Sequence, residues 1–257
     1  MQAKTILITG ASSGIGRSTA IRFAREGYQL ILTGRRLDRL ENLKQTLDQE
    51  FNSKIQLLCF DVRNLEEVKK HLSNIDRTQF PTIDILVNNA GLASGLGPID
   101  EGLYEDWDVM IDTNVKGLLY VTREIIPIMK EQGFGHIVNI SSQAGKDVYL
   151  NGNVYCATKH AVDALNKAMR IDLLPYGIKV TAINPGATET EFSLVRFKGD
   201  EARAKSVYDG FTPLTPEDIA NVIYFTASLP PHMCINDLTL TCITQANGIY
   251  NTKMLKK

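Results

Sequence analysis

The sequence predicts an α/β fold: a single doubly wound parallel sheet of seven strands, flanked by helices. Three observations carry this. Seven short apolar, β-branched runs recur along the 257 residues, each bounded by small or polar residues. Between them lie longer segments with apolar residues at helical spacing. No composition shift, repeat or low-complexity stretch interrupts the alternation, so one domain covering residues 1–257 is expected.

Thr5-Ile6-Leu7-Ile8-Thr9 reads as the first strand, and Gly10-Ala11-Ser12-Ser13-Gly14-Ile15-Gly16 comes at once after it. A helix with Ile21, Phe23 and Ala24 on one face runs over 17–26 and stops at Gly27. Strand, glycine loop and helix in that order open a Rossmann-type dinucleotide site. The glycines allow a tight turn against a pyrophosphate, which the helix N-terminus attracts with free N–H groups. The spacing is G-x-x-x-G-x-G rather than G-x-G-x-x-G, so context carries the reading more than the motif does. A second strand over 28–33 ends in Gly34-Arg35-Arg36. An acidic residue there would hold the adenine ribose hydroxyls of NAD. Two guanidinium forks suit a 2′-phosphate instead, which favours NADP. The plainer alternative is a solvated basic helix start, since Arg39 lies nearby.

The pattern then repeats. A charged amphipathic helix is expected over 37–51, and a third strand over 55–60 ends in Asp61-Val62. Asn64 with Glu67 offers a cap for a helix reaching about residue 75. A fourth strand over 83–87 leads into Asn88-Asn89-Ala90-Gly91, where small and amide residues let a cofactor ring approach. The amides can also brace neighbouring strands, the better reading of Asn88. One long helix is expected over 103–130, with Pro127 bending or ending it. Asn114, a mediocre helix former, lies in its middle, either as a polar core cap or as a water-holding group beside the site.

The fifth strand is expected over 136–141, a helix over 152–174, and the sixth strand over 178–183. Asn184-Pro185-Gly186-Ala187-Thr188-Glu189-Thr190 then forms a turn that could set Thr190 against a cofactor amide or phosphate. Periodicity fades over 192–213, and the segment 186–214 is expected to be a substrate loop. Thr215-Pro216-Glu217-Asp218 starts a helix reaching about residue 228, and a last strand covers 238–243. Ligands of such sheets lie at the strand carboxyl ends, where the glycine loop, Asn89, Ser142 and Pro185 all fall.

Within the helix over 152–174, Tyr155 and Lys159 stand one turn apart and share a face. Ser142 sits just after the fifth strand. A phenol, an ammonium and a hydroxyl gathered there suit proton transfer to a carbonyl oxygen. A free tyrosine, with a pKa near 10, is a poor acid or base at neutral pH. An ammonium about 4 Å away favours the phenolate by up to ~4 kcal/mol at an effective dielectric of 20. The alternative is a helix merely decorated by Tyr and Lys, and the nucleotide site in front of the pair argues against it.

Taken together, Thr9 to Gly16, Asn88 to Gly91, Asn114, Ser142, Tyr155 with Lys159, and Pro185-Gly186 resemble the short-chain dehydrogenase/reductase family, in family order over almost the whole chain. The resemblance implies a catalytic tetrad of Asn114, Ser142, Tyr155 and Lys159. In it Tyr155 is the acid/base, Lys159 lowers its pKa and binds the nicotinamide ribose, and Asn114 holds a water for proton relay. The cofactor is expected against Gly10, Ser12, Ser13, Gly14, Ile15 and Gly16, then Arg35, Arg36, Asp61 and Val62. At its other end come Asn89, Tyr155, Lys159, Pro185, Gly186, Thr188 and Thr190. The family further implies hydride exchange between nicotinamide and a secondary alcohol or ketone, in a homotetramer.

Thr190-Glu191-Phe192-Ser193, Val195 to Asp200, and Leu214 to Asp218 are similar to the NADP-dependent 3-hydroxy acid dehydrogenases that oxidise L-serine and L-allo-threonine. Residues 143–150, which help shape the substrate pocket, match less closely. The expected reaction is therefore NADP-dependent oxidation of small 3-hydroxy acids, 3-hydroxyisobutyrate included. Ser142 and Arg196 are the expected substrate contacts. Arg196 either pairs with the substrate carboxylate through its planar fork or is a solvated loop charge. Other readings are a reductase of 3-oxoacyl thioesters or xenobiotic ketones, and a non-catalytic NADP sensor.

Composition narrows the classes further. Hydrophobic residues at 44% and charged residues at 22% are ordinary for a soluble globular protein. A net charge of −1 provides no basic field for nucleic acid or an anionic membrane. Cys59, Cys156, Cys234 and Cys242 form no C-x-x-C pair, so reduced thiols and no metal site are expected. No signal-peptide pattern or membrane-length apolar run is present, which points to the cytoplasm.

Overall fold

Apolar runs without alternation become strands covered on both faces, as a parallel sheet requires. The computed structural model describes residues 3–252. In it β1 (Thr5–Ile8), β2 (Gln29–Gly34), β3 (Ile55–Cys59), β4 (Ile85–Asn88), β5 (Gly135–Ile140), β6 (Ile178–Pro185) and β7 (Asp237–Leu240) form one seven-stranded sheet. Its order is β3-β2-β1-β4-β5-β6-β7, and every neighbouring pair is parallel. The chain thus winds outward from β1 in one direction, returns, and continues from β4 in the other.

The helices are α1 (Gly14–Arg25), α2 (Leu37–Phe51), α3 (Leu65–Ser73), α4 (Tyr104–Ile111), α5 (Leu118–Gln132), α6 (Asn153–Leu173), α7 (Phe192–Arg196), α8 (Glu201–Ser206) and α9 (Pro216–Ser228). Successive strand side chains point to opposite faces. Ile6, Ile8, Leu30 and Leu32 pack with Phe23, Leu40, Ile219 and Ile223 from α1, α2 and α9. Leu7, Ile31, Leu86 and Ile137 face the other way, onto Val68, Val121 and Val162 from α3, α5 and α6. Two cores therefore clamp one sheet. The expected caps form: Asn64 accepts from the backbone N–H groups of Glu66 and Glu67, and Thr215 and Asp218 make a reciprocal capping box.

Two expectations are corrected, on the helix over 103–130 and on the segment 192–213. The single helix over 103–130 is instead α4, a π-helical turn over Asp112–Gly117, and α5. Of the two outcomes expected at Pro127, ending the helix does not occur, since α5 continues to Gln132; Arg123, whose carbonyl loses its partner, is exposed, so solvent can take that bond. The segment 192–213 holds α7 and α8, of five and six residues, too short to show a period. All four cysteines are free; Cys156 and Cys242 are buried, Cys59 is partly buried and Cys234 is exposed. Among the described residues no helix is long and apolar enough to cross a membrane, and no group of three or more His, Cys, Asp or Glu is placed to hold a metal.

Candidate active site

Where the winding reverses, β1 and β4 lie side by side while the loops after them part, and this opens a crevice at the strand carboxyl ends. The crevice holds a cavity of about 530 Å³ running from Arg35 and Arg36 past the glycine loop to Tyr155 and Lys159. Gly10 and Gly14 have φ of 66° and 51°, the left-handed region that glycine adopts without strain. A Cβ at Gly16 would lie 2.4 Å from the Gly10 carbonyl oxygen, so this position must stay bare for the loop to fold onto α1. Ser13 caps α1 without a side-chain hydrogen bond, and no acidic residue lies in the first turn. The helix N–H groups therefore remain open to an anion.

At the basic end Arg36 donates to the hydroxyls of Ser12 (3.1 Å) and Ser13 (2.8 Å) and to Glu191 (3.0 Å). Arg35 lies 3.7 Å from Asp61, whose main partner is Arg63. The side chain of Asn89 donates to the carbonyls of Thr9 (2.8 Å) and Gly10 (3.2 Å), tying the end of β4 to the glycine loop. Asn88 braces the layers as expected, donating to Thr122 (2.8 Å) and Asn139 (2.9 Å).

At the other end α6 presents Tyr155 and Lys159 on one buried face. The Lys159 ammonium donates to the Ile140 carbonyl (2.9 Å) and lies 5.9 Å from the Tyr155 ring centroid. Ser142 begins a short 3₁₀ turn, where its hydroxyl accepts from the Ala144 N–H (3.0 Å). Gly91 lets the backbone pass close: a Cβ there would lie 3.3 Å from Asn114 Oδ1 and 3.5 Å from Lys159 Nζ.

Of the expected site residues, all line the cavity except Gly16 and Asn114. Gly16 is spent on packing. Asn114 sits in the π-helical turn and clamps the loop after β4, accepting from Leu92 N–H (2.8 Å) and donating to the Leu92 carbonyl (2.8 Å) and Thr158 (3.0 Å). Both amide hydrogens are thus used, which leaves one lone pair of Oδ1 for any water.

Burial dominates the electrostatics at this end. Burial pushes the Tyr155 phenol above its ordinary value, with Tyr149 adding to the rise; a hydrogen bond from Ser142 and the Arg196 charge pull it down. Burial penalises the Lys159 ammonium as well and brings its own pKa to about 8. Arg196 is no solvated loop charge. Its guanidinium lies 5.5 Å from the Tyr155 ring centroid, with Nε donating to the Gly95 carbonyl (3.2 Å) and Nη1 to the Tyr149 hydroxyl (2.9 Å).

Several lining residues escape the sequence reading. Tyr149 and Gln143 belong to the segment 143–150 that matches its family group less well, and Phe192 packs edge-on against Tyr155 with ring centroids 5.4 Å apart. Gln245, which accepts from the Ala187 N–H (2.8 Å), and Gly248, which donates to Asp147 (3.0 Å), arrive from the C-terminal segment. No periodicity or motif marks those two.

The family model described as short chain dehydrogenase matches residues 4–200. The chain is 43% identical over 242 residues to the NADP-dependent 3-hydroxy acid dehydrogenase YdfG of Escherichia coli (strain K12), covering 94% of this chain and 96% of that protein. It is 45% identical to the serine 3-dehydrogenase of Agrobacterium fabrum (strain C58), covering 94% and 95% of the two. Among solved structures, the closed form of serine dehydrogenase complexed with NADP+ superposes with a TM-score of 0.90 at 43% identity, covering 98% of this chain and 100% of that one. With a matching family model, near-full-length relatives and a parallel sheet wound about a dinucleotide crevice, the chain belongs to the short-chain dehydrogenase family.

Proposed function

We propose that the protein is an NADP-dependent dehydrogenase of small 3-hydroxy acids such as L-serine, L-allo-threonine and 3-hydroxyisobutyrate. The observation that carries this is the half-buried Arg196 guanidinium standing over Tyr155 on the cavity wall. With Nε and one Nη1 hydrogen held by Gly95 and Tyr149, the Nη2 hydrogens are left for a carboxylate. A hydroxyl two carbons from that carboxylate falls within the compass of Tyr155 and Ser142. The relatives named for serine and 3-hydroxy acids support the same substrate class.

The chain's residues fit the cofactor. The uncapped α1 N-terminus and the bare glycine loop suit a pyrophosphate, and Arg35 and Arg36 with the Ser12 and Ser13 hydroxyls suit a 2′-phosphate. Asp61 and Val62 would flank the adenine end, and Asn89, Pro185, Gly186, Thr188 and Thr190 the nicotinamide end. When bound, NADP supplies the nicotinamide that accepts a hydride from the carbon bearing the 3-hydroxyl. Tyr155 takes the hydroxyl proton, and Ser142 holds the same oxygen by hydrogen bond. Lys159 contributes positive charge and a ribose contact, and Asn114 keeps the loop after β4 in place. Phe192 and Tyr149 give this end of the site an aromatic wall. Assembly as a homotetramer in the cytoplasm completes the reading; exposed Tyr104, Ile111 and Leu119 on α4 and α5 offer apolar surface for subunit contact.

The test is a substrate and cofactor panel. Purified protein should reduce NADP faster than NAD with L-serine, L-allo-threonine and 3-hydroxyisobutyrate, and work poorly on simple alcohols. Tyr155→Phe should lower kcat by roughly 10²–10⁴-fold while leaving NADPH binding intact. A non-catalytic sensor would be indifferent to that change, and a reductase of uncharged ketones would not favour the acids.

A further inference from the structure

Glu191 takes no part in hydride or proton transfer, yet it stands at a junction. Its carboxylate straddles two guanidinium groups: Arg36 Nη1 at 3.0 Å and Arg39 Nη1 at 2.5 Å. The same Arg36 donates to the Ser12 and Ser13 hydroxyls. Two arginines around one carboxylate, one of them also holding two hydroxyls, make an anion site, and the anion in it comes from the chain itself. Glu191 also lines both the main cleft and an adjoining cavity of about 330 Å³ bordered by Arg17, Arg39 and Asn42. With Ser12, Ser13 and Gly14 it forms the wall the two share.

Its place in the chain couples Glu191 to the reacting end. It is the N-cap of α7, a helix of only five residues. The first residue of that helix, Phe192, packs on the Tyr155 ring, and the last, Arg196, lies over it. A tether at Glu191 thus reaches the reacting end through little more than one helical turn.

We propose that Glu191 is a specificity-determining residue that competes with the cofactor's 2′-phosphate for Arg36 and Arg39, so that only a 2′-phosphorylated cofactor releases α7 from the phosphate site. The idea rests on the NADP reading and deepens it. A phosphate on Arg36 cannot share the site with a carboxylate without like-charge repulsion, so one must yield. NAD carries no group at that position and leaves Glu191 where it is. The phosphate then does more than add contacts: it frees the segment that carries Phe192 and Arg196. The opposite role is equally concrete, with Glu191 holding Arg36 and Arg39 in place so that the phosphate finds them aligned, and the two roles predict opposite signs.

The experiment compares the full chain with Glu191→Gln by calorimetric titration with 2′,5′-ADP and with 5′-ADP, which lacks the 2′-phosphate. Competition predicts that Glu191→Gln tightens 2′,5′-ADP binding about three- to fivefold, the size of half-exposed ion pairs given up, and leaves 5′-ADP within about twofold. Glu191→Ala must move the same way. Unchanged or weaker 2′,5′-ADP binding in either variant overturns the proposal. Amide hydrogen exchange over residues 192–197 is the second readout. In the unaltered chain 2′,5′-ADP should change it and 5′-ADP should not; in Glu191→Gln it should start at the released value and respond to neither. No response to 2′,5′-ADP in the unaltered chain overturns the coupling. If the unaltered chain fails to prefer 2′,5′-ADP over 5′-ADP, the NADP reading falls and takes this proposal with it. If it prefers 2′,5′-ADP and Glu191→Gln does not tighten it, only the proposal falls.

Discussion

A phenol lying in the protein interior resists ionisation, so the charges that face Tyr155 decide whether it works as a base. Arg196 and the Ser142 hydroxyl pull its pKa down against burial, and the ammonium of Lys159, one helical turn away, is anchored on the Ile140 carbonyl. Replacing Arg196 with Met removes one of the two opposing influences. The Tyr155 pKa then rises further, and the limb of the kcat/KM profile that depends on the phenolate shifts to higher pH. The same substitution removes a charged hydrogen-bond partner for the substrate acid, worth about 1.5–3 kcal/mol, or roughly 10- to 150-fold in KM for L-serine. A simple alcohol should lose far less. Steady-state kinetics across the pH range in which the protein stays folded checks both effects; an unshifted limb with unchanged KM removes Arg196 from the site. Tyr155, Lys159 and Ser142 were legible because a four-residue spacing and a strand end fix where such side chains go. Their electrostatics were not legible, since burial depends on what packs around the helix, and Phe192 and Tyr149 come from distant loops.

Elements differ in how far local pattern defines them. β5 is recognisable from Ile137, Val138 and Ile140, yet it also carries His136 into the interior, where the ring shares a hydrogen bond with Thr181 (2.7 Å). Burial lowers its pKa from 6.5 to about 3. The unfolded chain binds a proton below pH 6.5 and the native chain does not, so stability present above 6.5 is lost progressively as pH falls toward 3. Between pH 6.5 and 4 the loss approaches about 3 kcal/mol. His136→Gln keeps a partner for Thr181 without titrating, and urea unfolding should show a shallower decline over that window. An identical decline in both proteins would assign the acid sensitivity elsewhere. The helix pair α4 and α5 shows the reverse limit. Its apolar spacing reads as one continuous helix, and the π-helical turn at Asp112–Gly117 has no signature in period or propensity. It is set by tertiary contacts, with Asn114 pulled onto the backbone of Leu92 and onto Thr158 of α6.

For the whole molecule, the order β3-β2-β1-β4-β5-β6-β7 puts the crevice on the seam between two halves wound in opposite directions. Right-handed crossovers leave few other arrangements for seven alternating units, which is why a doubly wound parallel sheet could be read from the chain although its strand order was not. The residues that line the crevice nevertheless run from Gly10 to Gly248, and the last of them, Gln245 and Gly248, are placed by contacts to Ala187 and Asp147 that no local pattern encodes. A ligand on that seam touches both halves, so it must be lost before either half unfolds. Mass action then gives about 2.7 kcal/mol of stabilisation at a ligand concentration one hundred times Kd. For a chain of 257 residues that corresponds to a rise in Tm of about 5 °C. NADPH should produce this rise and NADH, at the same concentration, a smaller one, because only the former meets Arg36 with a phosphate. Arg36→Ser removes one fork but leaves Arg35, the glycine loop and the α1 N-terminus, so the NADPH shift should shrink toward that of NADH while NADH itself changes little. Equal shifts for both cofactors in the unaltered protein would take the 2′-phosphate away from Arg36, and a collapse of both shifts in Arg36→Ser would mean that this arginine supports the loop rather than reads the cofactor.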